Sequence, residues 1–178
     1  LLGPVRRVTG SAQISFPERT ATSKEKYGLK ITVDVATHVA GVMDFASGAV
    51  GTIITSFDTW GHHLPLIEIY GSEGSLSVPD PKKFNGKGFL RRWDDKEWRG
   101  GEHSHSDEVG RGIGVADMAY AIRSGRANRA SGQLAFHVLD LMQSFHDASS
   151  QGKHVDIAST VQQPAALPIG LAAGQLDS

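Results

Sequence analysis

The apolar pattern of this chain changes its period once, near residue 110, and that change does most to limit the folds open to it. Before it, apolar residues alternate or come in short β-branched runs. Ile31, Val33, Val35, Thr37 and Val39 fall on one side of an extended chain, and Thr32, Asp34, Ala36, His38 and Ala40 on the other, as the period of two in a strand requires. A strand region is expected from Val5 to Phe16, and a polar loop from Pro17 to Gly28. Val42, Met43 and Phe45 lead through Ala46-Ser47-Gly48-Ala49 into the run Val50 to Phe57, which reads as a hairpin. Leu66 to Tyr70 and Ser75 to Val78 flank Gly71-Ser72-Glu73-Gly74 as a second hairpin. Phe89 to Trp98 reads as a third, with Asp94-Asp95-Lys96 at its tip.

After the change the spacing is helical. Ile113, Val115, Met118, Ala119 and Ile122 predict a helix that Gly125 stops. Ser131 is placed as the N-cap of a second helix, whose stripe is Leu134, Val138, Leu141, Met142 and Phe145 and whose stop is Gly152. Val155 to Ile157 reads as a last short strand. Strands first and helices after imply an α+β fold, a mainly antiparallel, open-faced β-sheet with helices packed on one face. The expected organisation is one domain over residues 1–158 and a flexible tail over 159–178, rich in Ala, Pro, Gly and Gln. Two helices are short cover for six or more strands, so one sheet face is left over. Its side chains, Thr32, Ala36 and Ala40 among them, are small or weakly polar. Such a face meets either water or the sheet of another copy or domain.

The 178 residues suffice for one core. Lys+Arg 18 against Asp+Glu 19 leaves a net charge of -1, which removes any global attraction to nucleic acid or to an anionic membrane. No apolar run reaches the roughly 18 residues of a membrane span, and the first residues do not read as a signal peptide. With Cys 0, disulfides, thiolate metal sites and a cysteine nucleophile are excluded, and a cytoplasmic setting is expected. Gly 21 is a high count, and hairpin turns and helix stops account for it.

Several segments invite a chemical reading. Gly110-Arg111-Gly112-Ile113-Gly114-Val115-Ala116-Asp117 opens a helix but puts Val115 or Asp117 where a dinucleotide fingerprint needs Gly or Ala. It reads as a flexible lead-in, with a helix N-terminus able to meet an anion. His103-Ser104-His105, with Glu102, Asp107 and Glu108, has the residue types of a metal cluster but no third ligand at diagnostic spacing, so no metal site is assigned. The acids of Asp94, Asp95 and Glu97 crowd a turn, where both members of a glycosidase pair would stay ionised. Trp60-Gly61-His62-His63 follows a strand. It either lines a polar small-molecule pocket or covers a core edge with its histidines exposed. His137 adjoins the second helix's stripe and reads as a packed helix residue rather than a base.

Taken together, several segments resemble the C-terminal domain of the Gfo/Idh/MocA oxidoreductase family (glucose-fructose oxidoreductase, inositol dehydrogenase and relatives). They are Leu2-Gly3-Pro4-Val5, the hairpin Phe45-Ala46-Ser47-Gly48-Ala49-Val50-Gly51-Thr52-Ile53, the run from Ile67 through Tyr70-Gly71-Ser72-Glu73-Gly74 to Leu76, the helix from Gly112 to Ile122, Arg126 to Gly132, and His137-Val138-Leu139-Asp140. The resemblance spans roughly residues 1–158. It implies an enzyme in which an N-terminal Rossmann domain holds NAD or NADP. An α+β domain like this one would supply substrate contacts and, through its open sheet face, the surface of a homo-oligomer. The family's catalytic Lys, Asp and His would lie upstream of residue 1, so no catalytic or cofactor-binding residue carries over. The resemblance directs substrate binding to Trp60, His62 and His63, beyond the strand that runs into Phe57-Asp58-Thr59, with Arg111 as a further candidate. The expected function is the substrate-binding and oligomerisation domain of an NAD(P)-dependent oxidoreductase acting on a sugar, polyol or related carbonyl compound, inactive alone. The alternative is a non-catalytic self-associating or sugar-binding β-sheet module.

Overall fold

A computed structural model describes residues 1–83, 86–102, 104–105, 109–172 and 174–176. The elements in chain order are β1 (Val5–Gln13), β2 (Glu18–Thr20), β3 (Lys30–Thr32), β4 (His38–Phe45), β5 (Val50–Ser56), β6 (Ile67–Tyr70), β7 (Gly74–Val78), β8 (Phe89–Arg92), β9 (Arg99–Gly100), α1 (Ile113–Ser124), α2 (Gly132–Gln151) and β10 (Val155–Asp156). The α+β class holds, and every strand pairing among the described residues is antiparallel. The chain forms two compact units, Leu1–Gly61 with Gly132–Gln163, and His62–Ser131 with Pro164–Ser178.

In the first unit, four strands form a sheet in the order β10-β1-β4-β5, and α2 lies on one of its faces. Val5 and Val8 are three residues apart, yet both are buried against α2. A regular strand would turn them to opposite faces; the register shift between Val5 and Arg7 brings them to the same one. Phe145 completes this core, with Val39, Met43, Phe45, Ile53, Leu141, Val155 and Ile157 packed around it. Its ring rests on a notch made by two glycines paired across β1 and β4, Gly10 and Gly41. A methyl at Gly41 would stand 2.4 Å from Phe145 Cε1.

Two expectations shift here. The alternating run from Ile31 to Val39 is two strands rather than one. Val33 and Thr37 still donate to the carbonyls of Pro17 and Gln13, at 2.9 Å each, but Asp34 to Ala36 bow out between those bonds. β2 and β3 pair as a separate two-stranded ribbon. The buried line on α2 is also rotated from the expected stripe. It runs through His137, Leu141, Ser144, Phe145 and Ala148, while Val138 and Met142 are exposed. The glycine notch selects this line, because it admits Phe145 and draws the residues one and two turns away into contact.

The other sheet face carries Thr9 and Ser11 of β1, Ala40 and Val42 of β4, and Thr52 and Ile54 of β5, aligned by register. It is the expected leftover face, with Ala40 on it as read. Thr32 and Ala36 lie outside this sheet. Val50 and Ile54 are exposed there, at 68% and 60%.

In the second unit, β6 to β9 form a meander in sequence order. The hairpins read from Gly71-Ser72-Glu73-Gly74 and Asp94-Asp95-Lys96 are both present. Asp95 closes the latter by accepting from the Arg92 amide at 3.0 Å and pairing with Arg99. Gly125 ends α1 at φ 74°, its amide bonded to the Ala121 carbonyl at 2.9 Å. Contrary to the expected stripe, Val115, Met118 and Ile122 are exposed, and Asp117 and Ala121 face inward. Arg126 and Arg129 both pair with Asp117, at 2.7 and 2.6 Å, and this ion cluster rather than an apolar stripe sets the helix's inner face. Arg129 also donates to the carbonyls of Ala165 and Ala166 at 2.8 and 3.3 Å, and Leu176 is buried. No helix among the described residues is long and apolar enough to cross a membrane.

Candidate functional site

β5 ends at Ser56. Phe57 still donates to the Thr37 carbonyl at 2.8 Å. Asp58 then turns into the unit: its carboxylate pairs with Arg19 and accepts the Thr37 hydroxyl at 2.6 Å, and its amide donates to Ser56 Oγ at 3.2 Å. The Arg19 guanidinium sits over two rings, 4.9 Å from the centroid of Phe57 and 5.5 Å from that of Phe16. Two residues beyond this cluster, Trp60 is fully exposed.

The four residues singled out from the sequence divide between the two units. Trp60 belongs to the first unit, and His62, His63 and Arg111 to the second. His62 Nδ1 lies 3.0 Å from the Leu64 carbonyl, and both histidines are exposed. Arg111 is exposed where the chain enters α1, on the wall of a cavity of about 280 Å³ lined also by His105, Val109, Ile113, Ala116 and Leu176. His105 Nε2 contacts the Gln175 carbonyl at 2.7 Å.

The sequence missed the two polar clusters. Arg19 and Asp58 are 39 positions apart, so no local spacing announces their pair. In the sequence Asp117 stands out only as a residue that spoils a dinucleotide fingerprint. Burial raises its carboxyl's pKa, but the Arg126 hydrogen bond, the Arg129 amide and the Arg129 guanidinium outweigh this and hold it below the ordinary carboxylate range. His137 is packed, as expected of it. Its Nε2 accepts the Val5 amide at 3.1 Å and its Nδ1 meets Ser159 Oγ at 2.9 Å.

The described residues do not fit a dinucleotide. A pyrophosphate cradle needs a strand feeding a Gly-rich turn and a helix in a parallel βαβ unit. Among the described residues no strand leads directly into the glycines before α1, and the sheets are antiparallel. Among the described residues no group of three His, Cys, Asp or Glu is placed to hold a metal. His103, Asp107 and Glu108 of the possible metal cluster lie outside the described residues.

Residues 1–77 match the family model described as the GFO/IDH/MocA C-terminal domain. A search of curated proteins returns no match. Among solved structures, apo levoglucosan dehydrogenase is 20% identical with a TM-score of 0.71, over 89% of this chain and 47% of that one. An NAD-binding oxidoreductase from Klebsiella pneumoniae is also 20% identical, with a TM-score of 0.69, over 89% of this chain and 47% of that one. Aldose-aldose oxidoreductase from Caulobacter crescentus, complexed with glycerol, is 13% identical with a TM-score of 0.57, over 86% and 42%. The chain thus spans less than half the length of these structures, and its likeness to them is one of fold. Residues 1–77 thus carry the sequence pattern of the GFO/IDH/MocA C-terminal domain, and the chain shares the fold of these oxidoreductase structures.

Proposed function

We propose that this domain faces the substrate and carries the self-association surface of an NAD(P)-dependent oxidoreductase acting on a sugar, a polyol or a related carbonyl compound. The observation that carries the self-association is the uncovered sheet face. Thr9, Ser11, Ala40, Val42, Thr52 and Ile54 make it small, β-branched and uncharged, while the Arg7–Asp44 pair stands at one end and His38 with Ser56 at the other. Sheets of this kind pack face to face at about 10 Å. Support for the substrate class comes from the fold's relatives, which include levoglucosan dehydrogenase in complex with NADH and levoglucosan, and with NADH and L-sorbose.

Within that reading the chain's own residues bind and orient. Trp60 on the first unit offers an indole face to the C–H side of a sugar. His62, His63 and Arg111 on the second unit offer hydrogen-bond donors to hydroxyl or carboxylate oxygens. Each is a separate candidate. NAD or NADP would supply the redox chemistry from a Rossmann domain, and none of the residues here is assigned to it. Calorimetric titration of the chain with NADH tests the division of labour: the expected outcome is no binding at micromolar concentration, and a micromolar signal overturns it. Sugar affinity in the chain alone that joining it to a Rossmann domain with NADH does not raise would favour an independent sugar-binding module instead.

A further inference from the structure

We infer that Asp58 is a positioning residue, which holds the strand-end segment still so that the Trp60 indole meets the apolar face of a sugar or polyol from a rigid stalk. The inference rests on the reading of Trp60 as a sugar contact and deepens it.

The argument starts from an imbalance. Single exposed aromatics are ordinary and need no explanation. What is unusual here is how much partly buried polar bonding lies two residues earlier in the chain. The Asp58 side chain is 9% exposed, yet it is charged. A carboxylate so placed is costly unless each oxygen is bonded. Both are: one to Arg19, the other to the Thr37 hydroxyl at 2.6 Å. Arg19 also reaches the Phe57 carbonyl at 3.4 Å. Thr37 Oγ1 is tied to the Ser15 amide at 3.3 Å, and Ser56 Oγ to His38 Nδ1 at 3.0 Å. Three segments distant in sequence, around residues 15–19, 37–38 and 56–58, are thereby knotted at the point where β5 hands over to Thr59, Trp60 and Gly61.

No core contact of Trp60 needs such a knot, because the indole is fully exposed. A stacking ligand does. An aromatic already fixed in place loses little conformational freedom on binding, and preorganisation of this kind raises affinity without any new contact. The chemistry of the occupant follows from the indole: C–H bonds of a pyranose or polyol face, with hydroxyls left to water or to other donors.

The test uses the chain as it stands, with 15N relaxation and sugar titration run in parallel. The Thr59 and Trp60 amides are expected to show order parameters of about 0.85, like strand residues, despite full exposure. Asp58→Asn keeps an acceptor for Thr37 but removes the charge facing Arg19. It is expected to bring both amides below about 0.6 and to weaken D-glucose binding about tenfold. Thr37→Val should do the same and Thr37→Ser should not, which keeps the proposal testable if Asp58→Asn fails to fold. A core variant, Val8→Ala, should lower the melting temperature and leave the Trp60 amide unchanged, separating positioning from general stability. If the Trp60 amide is as mobile in the unaltered chain as in Asp58→Asn, the positioning role is overturned. If it is rigid but Trp60→Ala leaves sugar binding intact, the sugar-contact reading falls while the knot's hold on the segment stands.

Discussion

The backbone amide of Val5 donates to Nε2 of His137 across 3.1 Å, with both residues buried. An amide nitrogen only donates, so Nε2 carries no proton and the imidazole is the Nδ1–H tautomer. That proton points to Ser159 Oγ at 2.9 Å, and the Ser159 amide in turn donates to Asp140 at 3.0 Å. One histidine thus ties the start of β1 to α2 and to the chain after β10. Replacing it by alanine leaves a buried amide without an acceptor and a cavity beside it, a combined cost of about 2–4 kcal/mol. Urea denaturation of His137→Ala measures the loss, and 15N spectra of the imidazole check the tautomer. A proton on Nε2 would refute the assignment.

The glycine notch makes a second, comparative prediction. At Gly41 a methyl would stand 2.4 Å from Phe145 Cε1 and 2.6 Å from the Thr9 carbonyl oxygen. The latter is backbone and has nowhere to go. Gly41→Ala is therefore expected to cost about 1–3 kcal/mol or more through overpacking. At Gly51 the nearest atoms are side-chain ends, Phe45 Cε2 at 3.2 Å and Met43 Cε at 3.3 Å. These can move by a few tenths of an ångström, so Gly51→Ala should change stability far less. Thermal melts of the two variants side by side decide it, and equal losses would contradict the notch.

These two cases also show what could be read from the sequence. Helix ends were legible because their cause is local: Gly125 and Gly152 adopt positive φ, 74° and 62°, where other residues are strained. Hairpins at Gly48 and at Gly71 to Gly74 were legible for a similar reason. The buried line on α2 was not, because the residues that choose it, Gly10 and Gly41, sit on other elements and contribute by having no side chain. The outward turn of Val115, Met118 and Ile122 on α1 was hidden by the same non-locality, since Arg126 and Arg129 pull Asp117 inward. Of the candidate site, the strand-end position of Trp60 was legible, and the Asp58–Arg19–Thr37 knot behind it was not.

The Asp117 cluster should make the second unit acid-sensitive. Its carboxyl is held below the ordinary range, so folding binds fewer protons there than the unfolded chain does. The sign follows: the stabilisation is present above the unfolded value of about 4 and is lost as the pH falls through the lower folded value. Asp117→Asn removes it and leaves two guanidinium groups facing a neutral amide. Denaturation at neutral pH and below about pH 4 should show the unaltered chain losing stability on acidification more steeply than Asp117→Asn. Parallel pH profiles for the two would rule the cluster out as a source of acid sensitivity.

Self-association through the open face of the first sheet predicts a variant that separates assembly from folding. Ile54 lies opposite Ala40 on β4, which lies opposite Ser11 on β1, so it stands in a row of small side chains at the edge of that face. It is 60% exposed, and lysine at this position keeps its charge in water when the chain is alone. Ile54→Lys should therefore leave the melting transition of the isolated fold within about 0.5 kcal/mol. Against a second sheet the same charge would lose its water with no partner facing it, at a cost of several kcal/mol by order of magnitude. A stable pairing needs roughly 800 Å² from each copy, and one such charge inside it is enough to shift the equilibrium to monomers. Sedimentation at high micromolar concentration should give a dimer or larger for the unaltered chain and a 19.0 kDa species for Ile54→Lys. An unaltered chain that runs as a monomer under those conditions removes the self-association from the proposed function.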